Sequence, residues 1–286
     1  MNPELTYEGT RRTVQIDGIT LSWHEAGEGE PLILLHGSGP GVSAWSNFRY
    51  NLPVFAKRFR TIMPDMPGFG ASGLPELAEF YPVLAARWTA KLMDHLGIES
   101  AFFTGNSMGG AVTAELAALH PERVRRMALI GSGGLSVGVF GTDPSEGFLR
   151  LFEFLDDPTR DRMIGWVKTM VFDHRLITDE LIEARMANAL ADGVIPRMKA
   201  IFASMFNPAL RHGQPPLWTR AGTIKTPTLL LWGRDDRMLP YDHAHLANRL
   251  LPEVELHSFS RCGHWVQIER KNDFERVSTE FHTRSA

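Results

Sequence analysis

Apolar residues along the chain fall into two kinds of pattern, short uninterrupted runs and longer helical segments. Residues 31–35 form one uninterrupted run that stops at a glycine-rich loop, as is typical of a strand buried on both faces of a parallel sheet. Ahead of it, segments 13–19 and 20–24 surround the turn residues Asp17-Gly18, and this arrangement predicts a hairpin. Five further strands are predicted at 60–63, 101–104, 127–130, 228–231 and 254–259.

Helical segments fill the intervals between these strands, at 81–96, 108–119, 243–250 and 273–282. This alternation predicts a mainly parallel sheet with helices on both faces. It breaks between Leu135 and Gly222, where no strong core strand is found and helical patterns occur at 145–155, 160–171 and 179–191. We therefore predict a core domain made of 1–134 and 223–286, with 135–222 inserted as a helical lid.

The predicted lid is rich in methionine and phenylalanine. One interpretation makes these residues the packing face of a helical subdomain, which is the usual role of methionine in cores. Another makes some of them the wall of an apolar substrate pocket, and both hold if the lid buries one face and presents the other to a ligand. The residues are Met163, Met170, Phe172, Met186, Met198, Phe202, Met205 and Phe206.

Composition narrows the class of protein. The 286 residues are 43% hydrophobic and 22% charged, as in an ordinary globular protein, and α/β architectures reach this size as one domain. The net charge of −3 is spread without blocks, so neither nucleic acid nor an anionic membrane is a favoured partner. The only cysteine, Cys262, excludes an intramolecular disulfide and a cysteine-rich zinc site. Since no signal-like or membrane-spanning apolar segment is found, we expect a cytoplasmic protein.

A Gly-x-Ser-x-Gly pattern, residues 105–109, lies between a predicted strand and a predicted helix. A sharp strand-to-helix turn of this kind holds the serine in strained backbone angles and exposes its hydroxyl at the carboxyl edge of the sheet. The pattern alone also fits a glycine-rich turn with a helix-capping serine. The strand before it and the helix after it favour the first interpretation, which makes Ser107 a nucleophile.

A base and an orienting acid are expected on the loops after the last two strands. His264 directly follows segment 254–259, and both Asp235 and Asp236 follow segment 228–231. The order serine, aspartate, histidine is that of the α/β-hydrolase fold, and a Gly-x-x-Asp spacing favours Asp236 over Asp235, which would cap or salt-bridge locally. The aspartate would hold the imidazole in the tautomer that accepts the serine proton. We predict the triad Ser107, Asp236 and His264.

The glycine-rich loop HGSGPG, residues 36–41, follows the first buried strand. The α/β-hydrolase fold places a backbone N–H there, opposite that of the residue after the nucleophile. We therefore predict the N–H groups of Ser38 and Met108 as the donors of an oxyanion hole. The alternative is a tight turn without chemical duty. We expect His36 to be structural.

Several segments together resemble the meta-cleavage product hydrolases, which are carbon–carbon hydrolases of bacterial aromatic-ring degradation. The resemblance extends over about 6–281, and the asparagine before the serine together with Cys-Gly-His-Trp makes it more specific than the fold motif alone. Ser38 stands where several relatives have glycine, a change also found within the family. The segments are HGSGPG (36–41), SAWSN (43–47), GNSMGG (105–110), WGRDDR (232–237) and CGHW (262–265).

The resemblance implies the substrate, a 2-hydroxy-6-oxohexa-2,4-dienoate with an alkyl or aryl group at C6. Cleavage would give 2-hydroxypenta-2,4-dienoate and a carboxylic acid, with no cofactor or metal. By position, Arg185 would bind the carboxylate and 2-oxo end, and Gly39, Asn47, Asn106 and Trp265 would surround the dienoate. The resemblance also implies a homodimer or larger homo-oligomer.

The chemistry explains why a cation is needed. Hydrolysis of a carbon–carbon bond expels a carbanion equivalent, so the dienol must first become a keto tautomer that accepts the electrons. A cation at the carboxylate end would stabilise the enolate charge, and arginine suits this because its fork pairs bidentately with oxyanions. Without the resemblance, Arg185 would be read as a helix-surface salt bridge with Glu183 or a neighbour.

Other functions remain open at this point. A carboxylesterase or lipase would use the same triad on ordinary esters, but would need neither Arg185 nor an asparagine before the nucleophile. A catalytically silent receptor or scaffold would be expected to have a broken triad, whereas all three members are present. Metal catalysis has little support, because His243 and His245 form the only close histidine pair and no convincing third ligand is found.

Overall fold

A single eight-stranded sheet forms the centre of the structure, a computed structural model that describes residues 5–136 and 144–284. Its strand order is β1-β2-β4-β3-β5-β6-β7-β8, with β1, β2 and β4 pairing antiparallel and all other neighbours parallel. The predicted α/β-hydrolase architecture, a mainly parallel sheet, is thus confirmed. The strands are β1 (Arg11–Ile16), β2 (Ile19–Ala26), β3 (Pro31–Leu35), β4 (Arg60–Pro64), β5 (Ala101–Asn106), β6 (Val124–Ile130), β7 (Thr228–Gly233) and β8 (Val254–Phe259).

Helices flank the sheet and fill the interval between β6 and β7. All seven predicted helices are present, with bounds within about two residues, and six further helices were not predicted, five of them only four or five residues long. The helices are α1 (Tyr7–Thr10), α2 (Ala44–Phe48), α3 (Leu52–Phe55), α4 (Tyr81–His95), α5 (Met108–Leu119), α6 (Glu146–Asp156), α7 (Arg160–Met170), α8 (Asp179–Ala189), α9 (Val194–Phe206), α10 (Leu217–Arg220), α11 (Asp242–Leu250), α12 (Val266–Glu269) and α13 (Lys271–Thr283).

The predicted hairpin is present, with a shorter first strand than the segment 13–19 suggested. Asp17 and Gly18 both have positive φ, 47° and 77°, so they form the two-residue turn of the type that matches strand twist. Ile16 therefore pairs with Ile19 and β1 ends before the turn. The strand prediction was wrong at this boundary because it extended β1 through its own turn.

The core lies on both faces of the sheet, as the apolar run of β3 predicts. Ile33 and Leu35 pack in one cluster, with the buried faces of α4 and α5, while Leu32 and Leu34 pack in a second cluster, with α2, α3 and α13. All four side chains are at most 2% exposed. Because successive strand residues point to opposite faces, only a continuous apolar run can serve both layers.

Between β6 and β7 the described residues form helices α6 to α10 and short 3-10 turns, without a strand. Residues 137–143 of the predicted lid, and 1–4 and 285–286 of the predicted core, lie outside the described residues. Met163, Met170 and Met198 are at most 2% exposed. Phe206 is 62% exposed, yet it borders a cavity together with Phe202. Apolar residues of this segment thus serve as packing and as cavity wall. No helix among the described residues is long and apolar enough to cross a membrane.

Candidate active site

Ser107 stands on a strained turn between β5 and α5. Its backbone angles are φ 55° and ψ −114°, a conformation that costs a non-glycine residue about 1–3 kcal/mol. The flanking glycines make the turn possible, because a Cβ on Gly105 would lie 2.4 Å from the carbonyl oxygen of Gly109. The Ser107 N–H donates to the Ile130 carbonyl at 2.8 Å, which holds the turn against the end of β6. The sequence therefore folds locally into the geometry that presents a serine nucleophile.

His264 and Asp236 are hydrogen-bonded and buried. His264 Nδ1 lies 2.7 Å from Asp236 Oδ2, and the two side chains are 1% and 0% exposed. The other carboxylate oxygen accepts the N–H groups of Met238 and Leu239, both at 2.8 Å. Because a carboxylate only accepts, the proton of the neutral imidazole is assigned to Nδ1. His264 Nε2 is then the unprotonated nitrogen, and it is buried without a partner among the described residues.

The serine turn and the histidine pair meet at the carboxyl ends of neighbouring strands. Gly131 follows β6, one residue after the carbonyl that holds Ser107, and a Cβ there would lie 2.9 Å from His264 Nδ1. The described residues contain no hydrogen bond between the Ser107 hydroxyl and His264. In serine enzymes this contact is often long before substrate binds. The arrangement has the groups that a nucleophile, a base and an orienting acid require.

Asp235 occupies a different environment from Asp236. Its side chain is exposed, and Oδ2 accepts the Cys262 N–H at 3.2 Å. The Asp235 N–H donates to the Cys262 carbonyl at 2.9 Å. Asp235 therefore ties two loops together, while Asp236 contacts the histidine.

The loop 36–41 packs directly against the serine turn. A Cβ on Gly37 would lie 3.3 Å from Ser107 Cβ, and one on Gly39 would lie 2.6 Å from the Trp166 ring. Ser38, Ser107 and Met108 line one cavity of about 410 Å³. Ser38 and Met108, the predicted oxyanion-hole residues, thus border the same cavity as the serine.

His36 supports this loop as a neutral side chain. Burial lowers its pKa to about 4. Its Nδ1 donates to the Gly37 carbonyl at 2.7 Å, and its Nε2 accepts the Met66 N–H at 3.0 Å. With both ring nitrogens engaged, His36 is structural rather than a base.

Arg185 is buried in α8 and has no acidic partner among the described residues. Nη1 donates to the Pro40 carbonyl at 3.0 Å, Nε has no partner, and the guanidinium lies 4.4 Å from the Trp265 ring centroid. Burial, and then the charge of Arg49, lower the pKa of Arg185 to about 10. The alternative of a surface salt bridge with Glu183 is therefore wrong. A buried cation without a counter-ion is costly, so this site suits an anionic ligand.

Arg185 does not line the Ser107 cavity. Together with Trp265 it lines a neighbouring space of about 670 Å³, and Gly39 borders a third cavity. The loop 36–41 contacts both sites, because its Pro40 carbonyl accepts from Arg185 and its Gly37 packs against Ser107. The structure thus brings Ser38, Met108 and Ser107 to one cavity, with His264 and Asp236 near the serine turn, and places Arg185 and Trp265 at another cavity.

Asn47 and Asn106 meet behind the nucleophile, together with a residue that the sequence did not reveal, Gln267. Asn106 Oδ1 lies 3.5 Å from Asn47 Nδ2 and 3.4 Å from Gln267 Nε2. All three side chains are at most 3% exposed, and Gln267 Oε1 has no partner. The available signal was position, because Gln267 follows His264 by three residues on α12. These three amides contact one another, and none of them is among the described residues that line the Ser107 cavity.

Glu269 is a second residue that sequence reasoning missed. Its Oε1 accepts the N–H groups of Phe172 and Asp173 at 2.8 and 2.9 Å, and its Oε2 accepts the Gly263 N–H. Burial raises the pKa of Glu269, while these backbone donors act to lower it. One carboxylate therefore joins the segment after α7 to the residue before His264.

Replacing Glu269 with glutamine is expected to lower the free energy of unfolding by about 1–3 kcal/mol, because buried backbone donors lose a charged acceptor. Urea denaturation measures this difference. Glu280→Gln is the control, since Glu280 is exposed on α13 and its side chain pairs with Arg284 at the surface. Loss of such a surface ion pair lowers the free energy of unfolding by about 0–1 kcal/mol. Equal effects of the two substitutions would show that Glu269 does not anchor the loop.

Comparison with known proteins extends the similarity beyond these motifs. A family model described as alpha/beta hydrolase fold matches residues 30–271. The chain is 38% identical to the 2-hydroxy-6-oxo-6-phenylhexa-2,4-dienoate hydrolase of Burkholderia cepacia, over 97% of this chain and 98% of that protein. It is 39% identical to the 2-hydroxy-6-oxononadienedioate/2-hydroxy-6-oxononatrienedioate hydrolase of Comamonas testosteroni, over 90% of this chain and 89% of that protein.

Solved structures show the same similarity in three dimensions. The 2-hydroxy-6-oxo-6-phenylhexa-2,4-dienoate hydrolase from Rhodococcus sp. strain RHA1 superposes with a TM-score of 0.83 at 30% identity, covering 95% of this chain and 99% of that chain. A variant of the meta-cleavage product hydrolase from Pseudomonas fluorescens IP01 gives 0.82 at 33% identity, covering 94% and 96%. The similarity therefore extends over nearly the whole length of both chains.

Proposed function

This chain belongs to the α/β-hydrolase fold family and, within it, to the meta-cleavage product hydrolases, and on this premise we propose that its substrates are 2-hydroxy-6-oxohexa-2,4-dienoates substituted at C6. The enzyme hydrolyses a carbon–carbon bond, and Ser107, Asp236 and His264 form its triad. The observation that favours this over ordinary ester hydrolysis is Arg185, a buried guanidinium that has no counter-ion among the described residues and contacts the loop whose Ser38 lines the Ser107 cavity.

The reaction needs two steps before the final hydrolysis. In the first, the 2-hydroxy proton is lost and C5 is protonated, which gives the keto tautomer. In the second, His264 Nε2 takes the Ser107 proton while the serine oxygen attacks the C6 carbonyl, and the N–H groups of Ser38 and Met108 bind the resulting oxyanion. The C5–C6 bond then breaks, its electron pair moves into the conjugated 2-oxo system, and the proton held by His264 passes to the leaving fragment, which leaves the imidazole neutral.

Water completes the reaction. His264 accepts a proton from water, and the resulting hydroxide equivalent attacks the acyl group on Ser107. The serine oxygen leaves and recovers its proton from the imidazolium. The products are 2-hydroxypenta-2,4-dienoate and the carboxylic acid that carries the C6 substituent, so one water is consumed for each bond cleaved.

Arg185 supplies the charge that both tautomer and leaving fragment need. Enolate charge appears at the 2-oxo end in ketonisation and again when the C5–C6 bond breaks. A fixed, desolvated guanidinium stabilises such charge far better than one in water. In this proposal the substrate carboxylate reaches Arg185 past the loop 36–41, with Gly39, Asn47, Asn106 and Trp265 around the dienoate.

Arg185→Gln is expected to lower kcat/KM on a dienoate, with a loss of transition-state stabilisation of about 2–5 kcal/mol, because a buried charged contact loses its cation. Part of the loss appears in kcat, since enolate charge grows during ketonisation. Stopped-flow absorbance with a 6-phenyl dienoate measures both constants.

The control reaction is hydrolysis of a neutral nitrophenyl ester, which places no carboxylate at Arg185 and is expected to change little. Arg175→Gln is the control variant, because Arg175 borders the same space but is 90% exposed and pairs with Asp173. Equal loss on ester and dienoate would indicate damage to the fold. Faster turnover of esters than dienoates by the unsubstituted enzyme would support an esterase instead.

The C6 substituent is not decided by sequence identity. Relatives at 36–39% identity are named for a 6-phenyl dienoate or for dienedioates, with nearly equal identities. We further propose that residues 1–134 and 223–286 form the core domain, that residues 135–222 form its lid, and that the protein is cytoplasmic. We also propose a homodimer or larger homo-oligomer, and sedimentation velocity would test this oligomeric state.

A further inference from the structure

The cavity beside Ser107 has a mostly apolar wall, to which α9 and α10 contribute. Among its described lining residues only Glu115 and Arg211 are ionisable side chains with a charge at neutral pH. If the proposed function holds, this cavity receives the C6 substituent, because Ser107 must reach C6. At about 410 Å³ it has room for a substituent of several heavy atoms. The apolar lining residues include Phe148, Phe202, Leu217, Trp218 and Met238.

Glu115 already has a cationic partner. Its side chain is 1% exposed and forms an ion pair with Arg220, which is 19% exposed. Burial raises the pKa of Glu115, and Arg220 and then Arg211 act to lower it. Glu115 therefore pairs with Arg220 through Oε2, while its Oε1 has no hydrogen-bond partner among the described residues. Arg211 is a second cation at this wall, so the three side chains together carry one net positive charge.

Arg211 itself forms no ion pair and its side chain no hydrogen bond with any described residue. Its guanidinium carbon lies over the Phe80 ring, 3.8 Å from the ring centroid. Burial lowers the pKa of Arg211, opposed by the charge of Glu115. A guanidinium stacked by its face keeps its N–H groups available at the edge for an acceptor.

The backbone holds Arg211 in this position. The Phe80 N–H donates to the Leu210 carbonyl at 2.8 Å, and His212 Nε2 lies 2.7 Å from the Ala78 carbonyl oxygen. Bonds on both sides of Arg211 thus tie it to the segment that carries Phe80. The cation is therefore built into the cavity wall before any ligand arrives.

We propose that Arg211 binds a carboxylate at the far end of the C6 substituent, so that the enzyme prefers dienoates whose C6 group ends in a carboxylate over those with neutral groups. A neutral alkyl or aryl group would desolvate the guanidinium without providing a hydrogen-bond acceptor. Desolvation of an unpaired charge is unfavourable. A terminal carboxylate would form charge-assisted hydrogen bonds with it. Glu115 does not oppose this, because Arg220 neutralises it.

The test compares two dienoates of matched shape, with 2-carboxyethyl or 3-methylbutyl at C6. The wild-type ratio of kcat/KM, carboxyethyl over methylbutyl, is expected to be at least about 10, and Arg211→Met to lower that ratio at least about tenfold. Arg211→Lys, which keeps the charge, is expected to retain part of the preference. Arg125→Met is the control that keeps the ratio, because Arg125 stacks on Phe102 and pairs with Glu30 outside the cavity.

A wild-type ratio of one or less would overturn the inference while leaving the carbon–carbon hydrolase standing. So would an equal loss on both substrates in Arg211→Met, which would make Arg211 a support for the wall. If the wild-type enzyme turned over neither dienoate, the proposed function would fail, and the role of Arg211 with it.

Discussion

Replacing Ser107 with alanine is expected to reduce product formation by a factor of at least about 10³, because the variant has no oxygen to attack the C6 carbonyl. Folding should persist, since alanine keeps the Cβ and meets the same backbone strain at φ 55°. The variant should still bind the dienoate, and the substrate's visible absorption should then shift without bleaching. Stopped-flow spectra and steady-state turnover measure both results.

Ser136→Ala is the matched control, because this serine lines the same cavity and its hydroxyl contacts His243 rather than the triad. Its turnover is expected to stay near that of wild type. Retention of turnover within about tenfold of wild type by Ser107→Ala would remove Ser107 as the nucleophile, because loss of a triad member costs far more than this.

Asp236→Asn is expected to lower kcat by a factor of about 10⁴, the order of magnitude seen when asparagine replaces the triad aspartate of another serine enzyme. In wild type the Asp236 carboxylate accepts from His264 Nδ1. An asparagine that still accepted from Met238 and Leu239 through its oxygen would turn its NH₂ toward that nitrogen. The imidazole would then carry its proton on Nε2, where it could not receive the serine proton.

Asp235→Asn is the comparison that decides the assignment. Its exposed side chain contacts only the Cys262 N–H through a 3.2 Å hydrogen bond, which the amide oxygen of asparagine can also accept. We expect kcat to remain within about threefold of wild type. The free energy of unfolding should also change little, by at most about 0.5 kcal/mol, as is usual for substitutions at exposed positions. If Asp235→Asn were the inactive variant, the assignment of the two aspartates would have to be reversed.

Local patterns in the sequence were sufficient for the elements that carry the site. The apolar run 31–35 became β3 without a change of bounds, and the elbow around Ser107 lies between β5 and α5 as predicted. These features depend on residues close together in the chain. A short uninterrupted apolar run is typical of a strand buried on both faces of a parallel sheet. Small residues on either side of a serine, between a strand and a helix, are typical of the sharp strand-to-helix turn. Spacing also favoured Asp236, which is the aspartate found against His264.

Arg185 marks the limit of that reasoning. From sequence alone it fits a surface salt bridge, because Glu183 lies two residues away and nothing in α8 predicts burial. Only the structure showed that it is buried, packs against Trp265 and the Pro40 carbonyl, and has no counter-ion within residues 5–136 and 144–284. The resemblance to a family assigned it a role, but its separation from the Ser107 cavity came from the structure.

By itself, then, the sequence determined the order of the strands and of seven of the helices along the chain, the serine elbow, the positions of the aspartate and histidine, and the family. The tertiary structure decided which charges are paired. Glu115 pairs with Arg220, Glu269 joins two loops, and Arg211 packs on Phe80 with no acidic partner in the described part of the chain. The reason is physical: secondary structure and turns follow from neighbours in sequence, whereas desolvation and ion pairing depend on residues that only the completed fold brings together.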